Sequence, residues 1–171
     1  GTNMWLGSKP NSSVLSSTSD ITFKAYDFDF NLSRPNIATN GTFTFTPAVT
    51  DFAVDVRSSW FNNNQNNHTI SGLNIGTEEV TNAINIDSNI EISGPVTVYG
   101  AQINASSNIT TATVSDANLL FKATDYISST GLISSTLGKT NVVMWADSDD
   151  SGAGSVYLTG AIKTNGGGVW L

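Results

Sequence analysis

Residues 84–99 read INIDSNIEISGPVTVY. Ile84, Ile86, Ile90, Ile92, Val96 and Val98 form three apolar pairs, each split by one polar residue. A two-residue period puts apolar side chains on one face of an extended chain, so each pair marks a short strand. Between the pairs stand Asp87-Ser88-Asn89 and Ser93-Gly94-Pro95, residues that favour turns. Three strands joined by three-residue turns leave no room for a helix.

The same pattern runs through the chain. Alternating runs occur at Ile21–Ala25, Thr42–Thr46, Phe52–Val56, Leu73–Ile75, Leu119–Lys122, Val142–Trp145 and Val156–Leu158. No stretch sustains apolar residues at helical spacing. Ser12–Ser19, polar and β-branched, reads as loop or strand edge. Short, frequent strands fit a sandwich, a barrel or a solenoid, and internal repetition separates these. Ser19-Asp20 before Phe23-Lys24-Ala25 is echoed by Ser115-Asp116 before Phe121-Lys122-Ala123, and Asn36–Gly41 by Ile162–Gly167. Trp145 and Trp170 lie 25 positions apart, close to one coil, and Trp5 and Trp170 lie 165 apart. These echoes favour a solenoid whose inward residues, tryptophan included, stack from coil to coil, with Asn and Thr forming ladders at the turns. Coils of about 20–25 residues give roughly seven or eight coils. At about 4.8 Å between strands the rod is roughly 35–40 Å long. The expected domain is a single module over residues 1–171, one repeat unit of a longer chain. Val169-Trp170-Leu171 is apolar and predicts an open edge at that end.

Composition narrows the function. Of 171 residues only 12% are charged and 39% are hydrophobic, against about 25% charged in an ordinary soluble domain. The net charge of −7 argues against nucleic acid, whose binding rests on Lys and Arg, and against anionic membrane surfaces. No apolar run approaches the roughly 20 residues that span a bilayer. The absence of cysteine excludes disulfides, thiolate metal sites and cysteine nucleophiles.

Residues 72–76 (GLNIG), 84–86 (INI) and 92–104 (ISGPVTVYGAQIN) resemble a pattern of very large bacterial surface proteins of the filamentous-haemagglutinin-like, β-strand-repeat type. Val143–Asp149 (VMWADSD) and Ile162–Val169 (IKTNGGGV) extend the resemblance over about the last two thirds of the chain. Asn62–Asn67 and the doubled acid Glu78-Glu79 depart from it. The resemblance implies a right-handed parallel β-helix, secretion to the bacterial cell surface, and an adhesive or matrix role. The expected partners are neighbouring modules or other copies end to end, and a polysaccharide or protein of the cell surface or matrix.

Candidate sites are few. Asp147, Asp149 and Asp150, followed by Ser151-Gly152, resemble part of a calcium loop, although no EF-hand Glu follows. The simpler reading is a solvated turn between coils. Trp60, Phe61, Asn63, Asn64, Asn66 and His68 form an aromatic, asparagine-rich stretch that reads as a side loop and contact surface, with Trp60-Phe61 a sugar-stacking platform or, the simpler reading, a core anchor. Asp27, Asp29 and Asp55, set between apolar residues, could be glycosidase carboxylates. Alternation makes them outward residues of ordinary strands instead, with Tyr26, Phe28 and Phe30 inward. The threonines of TFTFT at 42–46 form one rank, too few for an ice-ordering array. Asn-x-Ser/Thr sequons at Asn11, Asn31, Asn40, Asn67, Asn104 and Asn108 are expected by chance in so Asn-rich a chain. One histidine does not make a typical zinc site, and no Gly-x-Ser-x-Gly elbow is present. The chain is therefore read as a non-enzymatic structural and adhesive module without a cofactor. A carbohydrate-binding or carbohydrate-active β-helix and a β-sandwich binding module are the alternatives.

Overall fold

A computed structural model describes residues 14–26, 36–60, 70–112 and 115–171. Its strands are β1 (Val14–Ser17), β2 (Ile21–Lys24), β3 (Asn36–Thr46), β4 (Val56–Arg57), β5 (Ile70–Ile75), β6 (Ala83–Ile86), β7 (Ile90–Ile92), β8 (Val96–Ala105), β9 (Ile109–Thr111), β10 (Ala117–Ser129), β11 (Ile133–Ser135), β12 (Thr140–Trp145), β13 (Ser155–Leu158), β14 (Ile162–Lys163) and β15 (Val169–Trp170). A 3-10 turn spans Ser58–Trp60. Every strand pairing among the described residues is parallel. The partner of each strand lies one coil away in sequence, so the fold is a β-solenoid of about 6 turns. The β-sandwich alternative is thereby overturned, since a sandwich of hairpins would show antiparallel ladders.

Three faces build each coil. The first carries β2, the second half of β3, β5, the first half of β8 and of β10, β12 and β15. The second carries β4, β6, the second halves of β8 and β10, and β13. The third includes the separate four-stranded sheet of β7, β9, β11 and β14. β8 and β10 run unbroken around the first corner, where their register shifts between Ala123 and Tyr126.

Inward residues stack in columns. Ile21, Phe43, Leu73, Val96, Leu119, Val142 and Val169 occupy one position in successive coils. Phe23, Phe45, Ile75, Val98, Phe121 and Met144 form the next column. The echo between Phe23 and Phe121 is thus a true structural equivalence. Val56, Ile84, Ile103, Ile127 and Val156 line the second face, and Ile90, Ile109, Ile133 and Ile162 the third. The middle members of all these columns are fully or almost fully buried. Apolar burial of about 25 cal/mol per Å² is the principal driving force of such a core. Phe23 meets Phe43 edge-on at 5.4 Å, and Phe52, reaching in from the 47–55 loop, stacks on Phe45 at 5.3 Å.

Several expectations need correction. The coils number about 6 rather than seven or eight. Val96, Leu119 and Val142 keep a spacing of 23 residues, but Phe43 to Leu73 takes 30 and Val142 to Val169 takes 27. Loops inside two coils consume the difference, and seven strands on the first face make a stack of about 30 Å. Trp145 and Trp170 do not stack in the core: they are 51% and 56% exposed and point outward, and Trp5 lies outside the described residues. Within Phe52–Val56 only Val56 enters a strand, because Val54 is exposed and the segment is a loop closed by Phe52. Tyr26, expected inward, is also exposed. The Ser12–Ser19 stretch yields a real strand, β1, paired with β3.

Candidate functional site

Most aspartates turn out to bind the chain to itself. Asp20 Oδ1 accepts the Thr42 N–H at 2.8 Å, and Asp116 Oδ1 accepts the Lys139 N–H at 3.4 Å, each one coil further on. Asp55 Oδ1 accepts the Ala83 N–H at 3.1 Å. Asp51 Oδ2 accepts both the N–H, at 3.2 Å, and the hydroxyl of Thr81. Asp87 accepts the Ser59 N–H at 2.9 Å and the Ser59 hydroxyl at 3.0 Å, with Arg57 at 3.4 Å, so it holds the start of the 3-10 turn. A carboxylate accepting a backbone N–H makes a charge-assisted bond, stronger than a neutral one. Asp55 is therefore a clamp between coils. Asp27 and Asp29 lie outside the described residues.

Asparagines do the same, Asn89 and Asn108 at turns and the others along strands. Asn89 Oδ1 accepts the Asn108 N–H at 3.1 Å, and Asn108 Oδ1 accepts the Leu132 N–H at 3.0 Å. Asn141 donates to Asn118 Oδ1 at 3.0 Å and accepts the Gly168 N–H at 3.0 Å. Asn104 donates to Asn85 at 3.1 Å. Asparagine side chains were expected to ladder at the turns; the side-chain pairs Asn85–Asn104 and Asn118–Asn141 run along the strands instead, and at the turns Asn89 and Asn108 bond the backbone of the next coil.

Asp147, Asp149 and Asp150 sit in the loop between β12 and β13. Asp147 and Asp150 adopt left-handed backbone angles, φ 57° and 58°, and Gly152 follows at 81°. Asp147 Oδ1 accepts the Ser151 hydroxyl at 3.0 Å and the Gly152 N–H at 2.9 Å. Partial desolvation, the largest single influence, raises the Asp147 pKa. The hydrogen bonds from Gly152, Ser151 and Ala153 together outweigh it and hold the carboxyl below its ordinary value. Ser151 N–H also leans on Asp149 Oδ1 at 3.4 Å. Among the described residues no group of three or more His, Asp or Glu side chains is placed to hold a metal ion. The arrangement is that of a self-satisfied turn. Of the proposed contact loop, Phe61, Asn63, Asn64, Asn66 and His68 lie outside the described residues, and Trp60 ends the 3-10 turn.

Two features that the motifs did not reveal lie near the last coil. On the flank, Tyr99, Lys122 and Trp145 form one outward column. Lys122 Nζ lies 4.7 Å from the Trp145 ring centroid and 2.8 Å from Glu78 Oε1. Tyr157, 61% exposed, meets Tyr126 edge-on at 6.2 Å. At the end itself, β13, β14 and β15 each pair on one side only among the described residues. Val169 continues the first inward column and Leu158 follows Ile86, Ala105 and Ser129 in another, yet they are 44% and 37% exposed. The periodicity at residues 84–99 predicts which side chains face inward, but it carries no information on which coil is last.

The chain matches no protein-family model, no curated protein and no solved structure.

Proposed function

We propose that this chain is a stiff structural segment of an extracellular, adhesive protein of a bacterial cell surface, without enzymatic activity. The observation that supports this reading is the seven-member column from Ile21 to Val169, a stack of one residue position through successive coils of the described residues. Such a stack extends by adding coils, each touching only its neighbours. The aspartate and asparagine clamps fasten coil to coil on the outside, and the acidic surface opposes lateral clumping. The resemblance of residues 72–104 to β-strand-repeat surface proteins supplies the bacterial surface and the adhesive role. Partners on this reading are further coils at the rod ends and a surface or matrix ligand on the flank. Among the described residues no helix is long and apolar enough to cross a membrane.

Surface labelling of intact cells with an antibody against this segment, with electron microscopy of the intact parent protein, tests the reading. A labelled fibre with further copies of the module supports it. An unlabelled cell, or a parent protein that is compact, overturns it. A second reading, carbohydrate binding, is favoured by one observation: Trp145 and Tyr157 present exposed rings beside polar side chains on the flank. Polysaccharide binding lost in Trp145→Ala would establish it.

A further inference from the structure

The outward side of the first face changes character along the rod. One outward column reads Thr22, Thr44, Asn74 and Thr97 in the earlier coils, and then Leu120 and Val143. The core does not call for apolar residues at an outward position, and the four polar residues show what such a position ordinarily holds. The column beside it brings Tyr99, Lys122 and Trp145 together on the same three strands, β8, β10 and β12. On the other side of Leu120 and Val143 stand Asn118, which is exposed, and Asn141, whose amide donates to Asn118 Oδ1 at 3.0 Å. Lys122 is the one charged side chain in this group, and its Nζ lies 2.8 Å from Glu78 Oε1. These side chains point away from the rod axis, so coils stacked on either side lengthen the face and do not cover it.

We infer that this face binds a neutral, equatorially linked polysaccharide, laid as a flat ribbon across β8, β10 and β12. The inference rests on the carbohydrate reading above and names its substrate class. Side chains on one face of a sheet stand at one level, which fits a flat chain better than a helical one. Sugar rings with equatorial substituents present C–H groups on both faces and hydroxyls at the edges. The C–H faces stack on Tyr99 and Trp145 and lie over Leu120 and Val143, while edge hydroxyls reach the Asn118 amide. Charge selects a neutral chain. The protein carries −7 and Glu78 neutralises Lys122, so a polyanion meets repulsion and no free cation. Size selects a glycan over a protein. The patch measures about 13 Å along the strands and about 10 Å across them, far below the roughly 800 Å² that a stable protein partner covers.

Calorimetric titration of the 171-residue chain with β-linked glucose, mannose and xylose hexamers, and with a galacturonate hexamer as the acidic counterpart, tests it. At least one neutral hexamer is expected to bind with a Kd of about 1 mM or tighter, and the galacturonate hexamer about tenfold more weakly or not at all. Trp145→Ala and Tyr99→Ala are each expected to weaken the neutral hexamer by about tenfold, with unchanged circular dichroism, and Trp145→Phe to retain it. Tyr157→Ala, on the second face, is expected to change nothing. Tighter binding of galacturonate, or binding that survives loss of both Tyr99 and Trp145 or depends on Tyr157, overturns the inference and leaves the carbohydrate reading standing. Binding of none of the four hexamers removes the carbohydrate reading and the inference together.

Discussion

Trp170 pairs with Val143, two residues out of step with Trp145. The 25-residue echo between the tryptophans therefore does not mark one rung, because the loop after Trp145 lengthens that coil to 27 residues. Both rings lie on the outside of the sheet, and their neighbours Met144 and Val169 belong to the inward columns.

Adjacent residues should therefore behave oppositely. Met144, 1% exposed, is expected to cost about 2–5 kcal/mol as Met144→Ala. Trp145→Ala removes a half-exposed ring and its contact with Lys122, worth about 0.5–1 kcal/mol. Urea unfolding of the two variants checks the order, and a reversal would place Trp145 in the core.

The isoleucine column loses burial from Ile109 to Ile162. Ile109 is fully buried between Ile90 and Ile133, so Ile109→Ala is expected to cost about 2–5 kcal/mol. Ile162 has a neighbour on one side only among the described residues, and Ile162→Ala should cost about 1 kcal/mol or less. Equal losses at the two positions would show that Ile162 is packed as fully as Ile109.

Gly131 is required by close approach between coils. A Cβ there would run into the Ser107 carbonyl group, which is backbone and cannot turn away. Gly131→Ala is expected to destabilise by about 1–3 kcal/mol through overpacking, measured by thermal unfolding. An unchanged melting temperature would mean that the corner is looser than the structure shows.

Asp147 makes stability depend on acid. Its folded-state pKa lies below its ordinary value. Its contribution is therefore present above the unfolded pKa, about 3.9, and is lost as pH falls through the lower folded value. Asp147→Asn should flatten the acid limb of a stability–pH profile at that point and leave the neutral and alkaline range parallel to wild type. Because the carboxylate is engaged by Ser151 and Gly152, chelators are expected to leave the unfolding midpoint unchanged. A midpoint that drops on chelation would restore calcium to this loop.

The alternation in Ile84–Ile92 and Val96–Val98 was sufficient to place those strands, because a two-residue period has one physical solution when one face must be buried. The echo of Ser19–Ala25 in Ser115–Ala123, which repeat the same inward phenylalanine, favoured the solenoid class, and the parallel pairings decided it. The turn ladders of Asn89 and Asn108 were legible in kind but not in pairing. Coil number was not legible, because loops such as 147–154 change the spacing without disturbing the pattern on either side. Nor was the direction of the tryptophans: a ring beside apolar neighbours reads as core, and only the parity of the strand, set by Met144 facing inward, turns Trp145 outward. The roles of Asp20, Asp55 and Asp116 depend on residues one coil away, and sequence proximity carries no trace of a bond across 22, 28 or 23 positions. The sequence by itself determined local strand and inward face, because those follow from nearest-neighbour periodicity. Only the tertiary structure decided register and the clamps, because each arises from contacts between coils that the chain must first stack to make.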